Sequence, residues 1–172
     1  MVWILSLGVL FLLLFMIAPR MFCRPDRTSL LTQIFYAHRG LFDNEGDAPE
    51  NSMKAFQKAV DAGYGIEMDI QLTKDAQLIV FPDATLKRMC GVHGKVCDYT
   101  WEELSSMKLK NSEEKIPLVS EVLQLVNGKV PLIIEYKMYQ SSKRLCEIGN
   151  ELLSRYNGAY CIESFHPHVL MW

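Results

Sequence analysis

The sequence predicts an α/β fold of the parallel βα-barrel type, preceded by an apolar helix. Three observations carry this. Short β-type runs alternate with helix-type runs from Ile34 onward, the order of parallel sheets whose strands are joined by helices. The run GIEMDIQL, residues 65–72, alternates strictly. As a strand it puts Ile66, Met68, Ile70 and Leu72 on one face and Glu67, Asp69 and Gln71 on the other. Charged residues also recur at or near the C-terminal ends of successive β segments: His38 and Arg39, Glu67 and Asp69, Glu135 and Lys137. Alone, the alternation also suits the edge of an antiparallel sheet with water on one face. Three polar ends in succession favour a barrel, whose strands converge at one mouth.

The elements follow in order. Residues 2–18 contain no charged side chain. At about 1.5 Å per residue they just span a bilayer core. The reading is a transmembrane helix or signal anchor over 1–19, with a cleaved signal peptide or a core helix as alternatives. Arg20, Arg24 and Arg27 follow it, which favours a single-pass protein with its domain on the cytoplasmic side. Residues 20–33 read as a linker.

IFYA (34–37) is a strand, with Phe35 and Tyr36 expected in the core. The next helix is capped by Asn51 or Ser52, striped by Met53, Phe56, Ala59 and Val60, and stopped at Gly63. After GIEMDIQL come a turn, TKDAQ, and a strand, LIVF (78–81); residues 82–97 read as loop. Thr100 and Glu103 are spaced for a capping box. A helix over 117–128 ends at Gly128, and a strand covers 130–137. An amphipathic helix covers 141–156, a strand 159–165, and Pro167 opens a last helix.

The 172 residues suffice for one domain with a real core. A net charge of −2 gives no reason to expect nucleic acid as a partner. The five cysteines form no C-x-x-C pair and no zinc-type cluster with histidine, so free thiols are expected.

Glu67, Asp69 and Glu135, brought within a few ångströms, cannot all stay ionised unless a cation compensates. Oxygen ligands of this kind select a hard divalent ion, Ca²⁺ or Mg²⁺. Arg39 and Lys137 add positive charge for an anion lying over that ion, and the planar fork of arginine suits phosphate. With His38 beside them, the set reads as phosphoester chemistry. Asp43 and Asp47 read as loop acids, and His166 and His168 as residues of a helix start.

AHRG, PENS, EMDIQLTKD, IIEYK and ESF, in this order, resemble the glycerophosphodiester phosphodiesterase family over essentially all of 34–172. The resemblance implies a TIM barrel and metal-dependent hydrolysis of glycerophosphodiesters to glycerol 3-phosphate and an alcohol. It implies metal ligands at Glu67, Asp69 and Glu135, with Glu50 of PENS helping to hold the metal and substrate site. It makes His38 one of two catalytic histidines, Arg39 the phosphate contact and Lys137 a charge in the substrate pocket. The substrate expected is a glycerophosphodiester or a phospholipid-derived relative, met by a domain held to the membrane through its N-terminal helix.

Two departures qualify the expectation. The second histidine of the family falls at Pro82 in LIVFPDATL, with Asp83 retained and His93 in the following loop. A barrel of this type takes eight units and about 250 residues, so 34–172 reads as an incomplete barrel of about five to six units, C-terminally truncated. The expected function is therefore a hydrolase of reduced activity. The alternative is a catalytically inactive, membrane-tethered fragment that binds metal or phosphate.

Overall fold

The computed structural model describes residues 31–139 and 142–171. The expected membrane helix over 1–19, and all but the last three residues of the linker, lie outside them. Among the described residues no helix is long and apolar enough to cross a membrane.

Alternating sequence becomes strand where alternation is strongest. β1 (Tyr36–His38), β2 (Gly65–Leu72), β4 (Leu132–Tyr136) and β5 (Tyr160–Glu163) run parallel in the order β1-β2-β4-β5. β3 (Leu78–Val80) is the exception: it pairs antiparallel with β2, Ile70 opposite Val80. A parallel return needs a crossover of a dozen or more residues, and 73–77 is only a tight turn. Thr73 Oγ1 accepts the Gln77 N–H at 2.9 Å there, and Ala76 takes φ 61°. LIVF is thus the arm of a hairpin and not the strand of a further βα unit, which corrects the sequence reading. β4 already holds Ile70 on its other edge, so β3 takes the edge of β2 that β1 leaves free.

Helices cover the apolar face. α1 (Met53–Asp61) starts at Ser52, whose side chain accepts the Ala55 N–H, and buries Ala55, Phe56 and Ala59. α2 (Lys87–Cys90) is a single turn within the stretch expected to be loop, and a 3₁₀ turn at Val96–Asp98 follows at the end of that stretch. α3 (Trp101–Leu104) carries the expected capping box. α4 (Val119–Val126) ends through Asn127 and Gly128 in the left-handed region. α5 (Ser142–Leu153) and α6 (Pro167–Leu170) complete the order.

Two apolar clusters result. The larger joins Ile66, Met68, Ile70, Leu132 and Ile134 of the sheet to Phe56, Val122 and Leu145 of the helices. The smaller gathers Ile79, Phe81, Leu86, Met89, Leu104 and Ile116 under the 79–118 excursion. β3 faces both, with Leu78 and Val80 in the first cluster and Ile79 in the second. Phe35 is a second correction. It is 82 % exposed, because it lies one residue before β1 begins, beyond the part of the sheet that the helices cover. Tyr36 is half-buried.

Candidate active site

Strand register assembles the site. On the face opposite the helices His38 stands across from Glu67, Asp69 across from Glu135, and Glu135 across from Glu163. One carboxylate oxygen from each of Glu67, Asp69 and Glu135 lies within 4.8 Å of the others, and all three residues are buried. Every residue of β2 is buried, so its acidic face is interior, as a barrel requires and a half-solvated sheet does not.

The turn after β1 presents Arg39. Its backbone sits in the left-handed region at φ 59°, and Gly40 follows at φ 81°. A Cβ on Gly40 would meet the backbone of Ala55 at 2.8 Å, so the turn fits against α1 only with glycine there. Arg39 N–H donates to Glu67 Oε2 at 3.0 Å. Asn51, also left-handed at φ 58°, donates its own N–H to the Arg39 carbonyl at 2.9 Å. Such conformations cost of order 1–3 kcal/mol for residues with a Cβ and cluster at functional sites. Here two of them brace each other.

The charges interlock. Arg39 Nη1 donates to Glu50 Oε2 at 2.5 Å, and its Nε lies 2.9 Å from Asp69 Oδ2 as an ion pair. Lys137 Nζ donates to Glu135 Oε2 at 2.7 Å and lies 3.0 Å from Asp69 Oδ1. Asn51 Nδ2 donates to Asp69 Oδ2 at 2.8 Å. Glu67 Oε1 has no hydrogen-bond partner among the described residues. Burial, then the charge of Asp69, pushes the Glu67 carboxyl up to about 7 despite the Arg39 N–H; Glu163 and Glu135 add to the rise.

Glu50 stands apart from this trio. Its oxygens accept from Arg39, from Asn44 at 2.9 Å, and from Arg88 at 2.5 and 3.1 Å. Burial raises its carboxyl, but the bonds from Arg88, Arg39 and Asn44 outweigh it and hold the group down at about 2. The His38 side chain is 67 % exposed at the rim, with Nε2 3.8 Å from Glu67 Oε2. Pro82 is buried, and its carbonyl accepts the Tyr139 hydroxyl at 3.2 Å. His93 is exposed in its loop. Asp47 pairs with Lys54 and Lys58 at the surface.

Four residues complete the arrangement beyond those singled out by sequence. Asn51 binds Asp69, where the sequence suggested only a helix cap. Gln71 donates to the carbonyls of Phe81 and Asp83, both at 2.8 Å, and so fixes the chain on either side of Pro82. Arg88 bridges Glu50 and Asp83. Glu163 shares the register of Glu135, a parity legible in ESF.

The donor set fits a divalent cation. Three carboxylates face two cations, leaving net negative charge when all are ionised, and one buried oxygen has no partner. Beside Glu135 and Lys137 opens a cavity of about 210 Å³, bounded by Tyr139, Ser164, Phe165 and His166.

Comparison with known proteins agrees with this geometry. A glycerophosphodiester phosphodiesterase from Bacillus altitudinis is 43 % identical over 121 residues, covering 66 % of this chain and 48 % of the relative. A glycerophosphodiester phosphodiesterase structure from Thermotoga maritima is 30 % identical, with a TM-score of 0.67 over 80 % of this chain and 56 % of its own. A phosphodiesterase from Oleispira antarctica, in complex with its product sn-glycerol-3-phosphate, is 22 % identical, with a TM-score of 0.75 over 84 % of this chain and 62 % of its own. That last likeness is one of fold, to a TIM-barrel protein. The chain spans about half the length of the curated relatives it matches. Residues 38–169 match the family model described as the glycerophosphoryl diester phosphodiesterase family, and the chain belongs to that family.

Proposed function

We propose that this chain carries the catalytic face of a metal-dependent hydrolase that converts a glycerophosphodiester to glycerol 3-phosphate and an alcohol. The observation behind the reading is the buried trio of Glu67, Asp69 and Glu135, flanked by Arg39 and Lys137. The trio would hold Ca²⁺ or Mg²⁺. Such an ion, when bound, supplies charge neutralisation to a phosphoryl oxygen. Arg39 and Lys137 bind and orient the phosphodiester anion, and each is kept cationic by its acidic partners. Glu50, with its oxygens committed to arginine and asparagine, serves the site by holding Arg39. His38 is the group that moves a proton, at Nε2, with Glu67 beside it to orient the ring. The cavity beside Lys137 gives the leaving alcohol room. The uncharged stretch 2–18 tethers the domain to a membrane.

Pro82 favours a second reading. Where relatives of the resemblance carry a histidine, proline offers no proton, and losing one acid–base group costs about 10²–10⁴ in rate. The alternative is a tethered module that binds metal and phosphate without turnover.

Both readings are tested on the full chain in detergent, with glycerophosphocholine followed by phosphorus NMR and Mg²⁺, Ca²⁺ or Mn²⁺ uptake followed by calorimetry. Metal-dependent release of glycerol 3-phosphate, lost in Asp69→Asn, supports the hydrolase. Ion uptake without turnover supports the binding module. Absence of ion uptake, with Asp69→Asn behaving as wild type, overturns both.

A further inference from the structure

Arg88 lies in the one-turn helix α2, 38 residues along the chain from Glu50. Its guanidinium is used on two sides. Nη1 and Nη2 reach the two oxygens of Glu50 at 2.5 and 3.1 Å; Nε and Nη2 reach the two oxygens of Asp83 at 2.7 and 3.0 Å. Glu50 sits in the segment after β1, and Asp83 follows β3. One planar fork therefore joins the two segments that border the acidic trio.

Glu50 is the hinge of the arrangement. Arg88 and Asn44 take Oε1, while Arg88 and Arg39 share Oε2. Arg39 then lies between Glu50 and Asp69. An arginine side chain is long and rich in rotamers, and the direction of its fork is set by whatever fixes its acceptors. Glu50 is itself 2 % exposed, so its orientation is decided by these bonds and not by water.

We propose that Arg88 is a positioning residue: by bonding both oxygens of Glu50, it fixes the acceptor that Arg39 shares and so sets the direction of the Arg39 guanidinium beside Asp69 of the acidic trio. The consequence for ligand binding rests on the reading of Arg39 as the phosphate contact. A lysine at 88 cannot reproduce the effect, because a point charge cannot bond both oxygens of Glu50 with the geometry of a planar fork.

The test uses the full chain in detergent and two readouts. The first is the Arg39 side-chain Nε–H resonance, assigned by its loss in Arg39→Lys. It is expected to be sharp in wild type and in Asp83→Asn, and broadened by exchange in Arg88→Met and Arg88→Lys. The second is affinity for inorganic phosphate. It is expected to fall about tenfold in Arg88→Met, and the double variant Arg88→Met/Glu50→Gln is expected to be no weaker than Glu50→Gln alone, as two members of one chain of contacts require. Asp83→Asn removes the other arm of the fork, so it controls for general loss of stability. An unchanged Arg39 resonance in Arg88→Met, or additive losses in the double variant, overturns the proposal. Should wild type take up no phosphate, the reading of Arg39 as the phosphate contact falls, and the resonance still decides whether Arg88 sets its place.

Discussion

Replacing Glu50 by glutamine removes a carboxylate that the fold holds ionised against two arginines. Against burial, which raises it, Arg88 and Arg39, with Asn44, bring that carboxyl from 4.5 down to about 2. A displacement of that size corresponds to about 3 kcal/mol of stability at neutral pH. The carboxylate is sealed, but the Arg88 side chain is 41 % exposed, so water takes a share and about 2–3 kcal/mol is expected. A carboxyl lowered in the folded state contributes its full stability above its unfolded value, near 4.5, and loses it as the pH falls toward 2. The assay is urea unfolding of wild type and Glu50→Gln at intervals from pH 7 to pH 2.5. The gap in free energy is expected to stay constant from pH 7 to about 5 and then to close steadily. A gap that persists undiminished at pH 2.5, or one below about 0.5 kcal/mol at pH 7, refutes the account of Glu50 as a doubly paired anion.

Glu67 carries the opposite sign. Its carboxyl is pushed up to about 7 by burial and by Asp69, Glu163 and Glu135, with the His38 ring nearby. Its contribution is therefore full below about 4.5 and is lost as the pH rises toward 7. In chelator at pH 8, Glu67→Gln is expected to be more stable than wild type by up to about 3 kcal/mol, and in separate calorimetry without chelator it is expected to take up no divalent ion; equal melting temperatures in chelator at pH 8 would contradict this. Asn51→Ala loses the bond to Asp69 and places a Cβ residue without a polar side chain at φ 58°, for an expected cost of about 2–3 kcal/mol. Asn51→Gly accepts that backbone angle and loses only the bond, so it should cost about 1 kcal/mol less in the same denaturation experiment. Pro82→His restores a group able to move a proton and is expected to raise turnover of glycerophosphocholine by about 10²–10⁴. An unchanged rate would mean that proton transfer at this position does not limit the reaction.

Much of the fold was legible because it is local. The alternation of GIEMDIQL gave the bounds of β2 and the shared face of Glu67 and Asp69. The stripe of Met53, Phe56 and Ala59 gave α1, and Thr100 with Glu103 gave the start of α3. What escaped is tertiary. The antiparallel return of LIVF depends on the length of the turn before it, a signal present in the sequence but outweighed by the regular succession of strands and helices. Phe35 is apolar and adjoins a strand, yet burial depends on what covers the strand end. Glu50 carried no periodicity to show that two arginines would surround it. The partnership with Arg88 spans 38 residues and starts from a single helical turn, too short to leave a pattern.

The strand β3 works as a party wall between two rooms. Leu78 and Val80 lean into the core under the sheet, while Ile79 leans into the one under the 79–118 excursion. A shortened side chain at Leu104 falls in the smaller room, whereas the strand register that gathers Glu67, Asp69 and Glu135 is packed from the larger one. The sequence of the excursion is thereby free to drift without dismantling the acidic trio, provided that one arginine keeps its grip across the wall.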